Sequence, residues 1–225
     1  MKYLIFLAIL AAFLIIACKQ PLAECLEKGH DVFVAECIAG LAIEKKDASL
    51  CSSIANENIR NSCIADVAIS KNAASLCSQA GDSTNYCLAN VAVNMQNPEG
   101  CEQIADAYWS DFCRLEFSKS TLNATHCGLI GNPSSADECF SFIATNQSNP
   151  KMCENISYSS RDKCYLAIAT NILNVTVCNN INNLASRFGN CYQKIARLSN
   201  NPEICRQISI AEIRENCNEI LNQNG

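Results

Sequence analysis

The chain has 225 residues, 17 of them cysteine, and carries 17 Lys and Arg against 22 Asp and Glu for a formal net charge of −5. This acidic balance argues against nucleic acid as a partner and against attraction to an anionic membrane surface. So dense a use of cysteine argues against a cytosolic redox enzyme.

Taken in chain order, residues 1–17 read as an export signal. Lys2 is the only charge before an apolar run of fifteen residues, Tyr3 to Ala17, too short to span a bilayer comfortably. The run ends Ile15-Ile16-Ala17-Cys18, which resembles the lipobox of bacterial and some archaeal lipoproteins. That resemblance implies a lipid-modified Cys18 as the first mature residue and residues 18–24 as a lipid-anchored tether. The alternatives are an uncleaved N-terminal anchor, or cleavage nearby with Cys18 free. Each places the remainder outside the cytoplasm, and anchoring would fix it on the outer face of the cytoplasmic membrane or cell envelope. No later stretch is apolar enough to span a bilayer.

From residue 25 to 225 the chain is a repeat of about twenty-six residues. Seven cysteine pairs stand fourteen positions apart, from Cys37/Cys51 to Cys191/Cys205, separated by variable gaps of ten to thirteen. Four positions after the first cysteine of each pair stand Leu41, Val67, Val91, Phe117, Ile143, Ile168 and Ile195; one further on stand Ala42, Ala68, Ala92, Ser118, Ala144, Ala169 and Ala196. On a helix, Cys and its +1, +4 and +5 neighbours share an arc of about 140°. The small +5 residue implies close approach of another backbone. At +10 come Asp47, Ala73, Asn97, Asn123, Asn149, Asn174 and Asn201, three of them followed by Pro, the signature of a helix start. A short second helix follows, bearing the next Cys and, three residues on, Ile54, Ala80, Ile104, Ile130, Ile156, Ile181 or Ile208. The unit is a short helix with one Cys, a variable loop, and a longer helix starting near the next Cys. The expected fold is all-α, an α-solenoid of about eight disulfide-linked helical hairpins.

Setting Cys18 aside leaves sixteen cysteines, suited to eight disulfides. Closing the variable gap pairs Cys25–Cys37, Cys51–Cys63, Cys77–Cys87, Cys101–Cys113, Cys127–Cys139, Cys153–Cys164, Cys178–Cys191 and Cys205–Cys217. Closing the constant gap strands Cys25 and Cys217 and asks a bond to span a helix of roughly 15–18 Å. Like-to-like pairing between neighbouring repeats makes alternate interfaces inequivalent. The first scheme is preferred.

Candidate chemistry is sparse. There is no Cys-x-x-Cys, only two histidines (His30 and His126) and no Gly-rich phosphate loop, so no metal, cofactor or catalytic triad is expected. Sequons at Asn123, Asn146, Asn155 and Asn174 are as numerous as chance gives in so Asn-rich a chain. The least regular repeat surrounds Cys113, with Arg114 in an apolar column, Ser118 for Ala, and the only tryptophan in Tyr108-Trp109-Ser110-Asp111-Phe112. Tyr108, Trp109 and Arg114 could form a recognition patch; the simpler account is a repacked repeat with Trp109 filling a gap.

The patterns Asn149-Pro150-Lys151-Met152-Cys153-Glu154-Asn155-Ile156 and Cys191-Tyr192-Gln193-Lys194-Ile195-Ala196 resemble cysteine-rich α-helical-repeat lipoproteins of archaeal and bacterial surfaces. More loosely, the architecture is similar to disulfide-stapled Sel1-like repeat proteins, whose repeats are longer, so no ligand carries over. The expected function is a non-enzymatic cell-surface scaffold or binding module for a protein, peptide or envelope polymer. The alternative is a secreted or anchored enzyme or enzyme inhibitor using the irregular central repeat.

Overall fold

The computed structural model describes residues 21–27 and 29–222; the export signal and Cys18 lie outside them. Among the described residues there are helices and no strand, so the fold is all-α. The chain divides into two units, the first ending at Trp109 and the second beginning at Ser110.

The first unit holds α1 (Pro21–Leu26), α2 (Asp31–Lys45), a 3-10 segment (Ala48–Ser53), α3 (Glu57–Lys71), α4 (Ala74–Cys77), a 3-10 turn (Gly81–Ser83), α5 (Thr84–Asn94) and α6 (Pro98–Glu102). Helix α7 (Ala107–Thr121) contains the division. The second unit continues with a 3-10 segment (Ala124–Leu129), α8 (Pro133–Asn146), a 3-10 segment (Pro150–Asn155), α9 (Tyr158–Asn171) and α10 (Val175–Cys178). It ends with a π-helical segment (Ser186–Tyr192), α11 (Gln193–Ser199), α12 (Pro202–Arg206) and α13 (Ala211–Asn222). In the first unit α2 packs on α3 and α3 on α5; in the second α8 packs on α9 and α11 on α13. Residues 21–24, read from sequence as part of a tether, form the start of α1, and Leu22 packs against the core of the first repeats.

The constant fourteen-residue interval is built by backbone bonds. Every non-glycine residue with positive φ among those described stands nine positions after a long-helix cysteine: Lys46, Asn72, Gln96, Leu122, Ser148, Leu173 and Asn200, at φ 47° to 54°. Each ends its helix in the left-handed conformation. The N–H of the following residue then folds back to the carbonyl of the small +5 residue, from Asp47 N–H to Ala42 O (2.9 Å) through to Asn201 N–H to Ala196 O (2.9 Å). This is the Schellman closure, which satisfies a carbonyl left over at a helix end. The same Asx residue then opens the short helix. Asp47, Asn123, Asn149, Asn174 and Asn201 each accept a hydrogen bond from the N–H two residues on. Asn97 and Ala73 do not. The +5 residues are all buried, and close approach there is real: a Cβ built on Gly100 of α6 would stand 2.8 Å from the Ala92 Cβ.

The long helices depart from expectation at their start. All but α5, which starts at Thr84 three residues before Cys87, begin five or six residues ahead of the cysteine, as α3 does at Glu57 before Cys63 and α8 at Pro133 before Cys139. The variable stretch thus supplies two helical turns rather than a loop. Asn56 and Asn132 cap these starts through the N–H groups of Ile59 and Ser135.

Seven disulfides close the variable stretch, pairing Cys25–Cys37, Cys51–Cys63, Cys77–Cys87, Cys127–Cys139, Cys153–Cys164, Cys178–Cys191 and Cys205–Cys217 at Cα separations of 5.4 to 5.8 Å. Cys101 and Cys113 are also disulfide-bonded. Side chains tie the same stretch down. The guanidinium groups of Arg60, Arg161 and Arg214, three positions before Cys63, Cys164 and Cys217, donate to the carbonyls of Ile54, Ile156 and Ile208. These carbonyls end the short helices, where a positive charge meets the negative end of the peptide dipoles.

Candidate functional site

Several polar side chains of the repeat are committed to holding turns. In the second unit, the two Asp111 oxygens accept the N–H groups of Gly131 and Asn132, each at 2.8 Å. Asp162 does the same for Asn182 and Asn183 at 3.0 and 3.1 Å, and Asp137 accepts the N–H and hydroxyl of Ser157. All three carboxylates stand two positions before a long-helix cysteine and grip the turn of the following repeat. Burial works against the Asp137 charge, but these bonds and one from Ser160 outweigh it and hold its pKa below the ordinary carboxylate value. Asn61 occupies the same column in the first unit, against Gly81. Arg114 lies in the second unit, its Nη1 3.6 Å from the Asp111 Oδ1. It completes this turn-holding arrangement.

One of the two histidines is a packing group and the other is exposed. His126 sets its ring edge-on to Phe117 at 5.0 Å, with Nδ1 buried and unbonded. His30 is exposed ahead of α2, its ring 6.1 Å from Phe33. No group of three or more His, Cys, Asp or Glu among the described residues could hold a metal ion, and no helix among them is long and apolar enough to cross a membrane.

Tyr108 and Trp109 belong to the first unit, and the structure adds three residues that the sequence did not suggest, Asp106, Tyr86 and Asp66. Asp106 caps α7 by accepting the Trp109 N–H at 3.0 Å, which fixes where the indole emerges. The Trp109 ring meets Tyr86 of α5 at 5.5 Å and 70°, and Tyr108 at 5.2 Å and 82°. Tyr86 and Trp109 are half-buried while Tyr108 is 70% exposed. Because α3 packs on α5, the Asp66 carboxylate comes to face the Tyr86 phenol. Burial raises the Asp66 pKa, and the Tyr86 hydrogen bond lowers it only in part. Burial also raises the Tyr86 phenol, helped by the neighbouring Asp66 charge. Three rings and a carboxylate thus share one surface. A sequence signal surrounds it: no Lys or Arg occurs between Lys71 and Arg114.

In the second unit a groove of about 320 Å³ lies beside the π-helical segment. Asn190, Gln193, Lys194 and Arg197 line it between Leu166 and Ile220, and the Gln193 Nε2 is buried without a partner. Comparison with known protein families, curated proteins and solved structures finds no match to this chain.

Proposed function

We propose that this chain is an exported, non-enzymatic binding module, held at the cell envelope through its N-terminus, whose helical repeats form the scaffold. Its partner is a protein, peptide or envelope polymer that docks on Tyr86, Tyr108 and Trp109. The observation that carries this reading is the exposure of Tyr108 beside Trp109. Large aromatic groups are common anchors of recognition surfaces because they bury much apolar area at little entropic cost. The rest of the repeat supports it by exclusion. Its cysteines are bonded, and Asp111, Asp137 and Asp162 are occupied by backbone N–H groups. The disulfides suit an extracellular setting.

Capture from native envelope with the full oxidised chain tests the reading. A partner retained by the unchanged protein and lost with Tyr108→Ala supports it. Tyr108 is exposed, so this variant keeps the fold. Turnover of a substrate panel, abolished by changing His126 or Asp111, overturns it.

A further inference from the structure

We propose that the surface of Tyr86, Tyr108, Trp109 and Asp66 takes a positively charged group, an ammonium or guanidinium presented by the partner. The assignment rests on the binding-module reading and names the chemistry of that same site.

Three independent observations converge. The first is geometric: Tyr86 and Tyr108 each meet the Trp109 ring in an edge-type contact, at 70° and 82°. Ring faces carry negative electrostatic potential, indole most strongly, so a cation close to one is attracted. The second is the carboxylate beside them. Asp66 is half-buried on α3, the Tyr86 phenol bonds it, and no ion pair among the described residues involves it. A carboxylate withdrawn from water without a cation is left poorly compensated, and an incoming positive charge relieves it.

The third observation is the wider field. From Asn72 to Trp109 the chain carries Asp82, Glu99, Glu102 and Asp106 and no Lys or Arg. All four acids are exposed. Such a field raises the encounter rate of a cationic partner and repels an anionic one. A neutral polymer would gain from the rings but nothing from the field.

Trp109 is the only tryptophan, so its fluorescence reports this surface alone. The experiment titrates the full oxidised chain with tetramethylammonium chloride, against NaCl at matched ionic strength and against tert-butanol as the neutral isostere. The expected result is a saturable change in Trp109 emission with tetramethylammonium only. Asp66→Asn should weaken that response about tenfold with the circular dichroism unchanged. An equal response to NaCl or tert-butanol overturns the assignment, and so does undiminished affinity in Asp66→Asn. If an envelope partner is lost with Tyr108→Ala yet is not displaced by tetramethylammonium, the cation assignment fails while the binding-module reading stands.

Discussion

The disulfide loops Cys77–Cys87 and Cys178–Cys191 differ in length by three residues, with sequence separations of 10 and 13, yet bring their Cα atoms to 5.4 and 5.8 Å. In the short loop, α5 follows the Gly81–Ser83 turn directly, and the Thr84 hydroxyl reaches the Cys77 carbonyl at 3.0 Å. In the long loop the surplus enters the helix itself as the π-helical segment Ser186–Tyr192. The position of an arginine shows it. Arg187 stands four residues before its cysteine rather than three, yet its Nε still bonds the Ile181 carbonyl, at 2.8 Å. One extra residue per turn is what a π-bulge accommodates. The lesson concerns where length tolerance resides. The fourteen-residue interval has a bonded backbone at both ends of its turn and admits no insertion. The other interval is fixed by a covalent bond and by side chains, here Asp162, Asn183 and Arg187, rather than by backbone closure, so it can stretch.

The largest test removes the staples. Replacing Cys77 and Cys87 together by Ala, or Cys178 and Cys191 together, should cost about 2–3 kcal/mol in either loop. Urea unfolding under non-reducing conditions measures both. Near-equal losses mean that the π-helical segment is unstrained by its bond; a negligible loss at Cys178–Cys191 would mean that the bond closes against strain.

The glycines of the two loops should respond with opposite sign. Gly81 sits at φ +51, and a Cβ there would stand 2.3 Å from the Nδ2 of buried Asn61. Gly81→Ala should therefore destabilise by about 2 kcal/mol. Gly189 lies in the π-helical segment with its nearest neighbour, Ile213 Cδ1, at 3.9 Å. Gly189→Ala should stabilise by about 0.5–1 kcal/mol, since an ordinary helical position favours alanine. Thermal unfolding of both variants decides it, and a loss at Gly189 would mean that the bulge needs glycine.

The constant interval offers a smaller test. Leu122 and Leu173 hold left-handed conformations at φ 51°, which suit a residue without a Cβ. Leu173→Gly should raise stability by about 0.5–1 kcal/mol. A loss would show that the half-exposed leucine packs better than its conformation costs.

These same residues explain what the sequence could and could not disclose. The Cys beat, the small +5 column and the Asx column were legible because each has one chemical character. The left-handed column was not, since Lys46, Asn72, Gln96, Leu122, Ser148, Leu173 and Asn200 share none; the fold-back bond imposes the conformation on whatever residue is there. The true helix starts were hidden for a related reason. The stretch before each long-helix cysteine carries Ser, Asn and Asp, and their hydrogen bonds read as loop until the next repeat's turn is seen to use them. At the surface, Tyr108 and Trp109 stood out as rare residues. Tyr86 and Asp66 did not, because only the packing of α3 on α5 joins positions twenty residues apart.

The subtlest contrast separates a carboxylate that the fold uses from one that it does not. Asp137 lies in a variable interval and is held below the ordinary carboxylate pKa: burial opposes its charge, and the bonds from Ser157 and Ser160 prevail. Its contribution to stability is therefore present above the unfolded-state pKa and fades as pH falls through the folded-state value. Asp66 lies in a constant interval and is shifted the other way by burial. Its folded form holds the proton more tightly than the unfolded chain, so stability falls as pH rises through the carboxylate range. Asp137→Asn should accordingly weaken the protein at neutral pH, and Asp66→Asn should strengthen it. Both differences should vanish in acid, where all these carboxyls are protonated. Urea midpoints at neutral and acid pH measure the pair. A neutral-pH loss of stability with Asp66→Asn would mean that its charge serves the fold, leaving no unspent carboxylate to meet a cation.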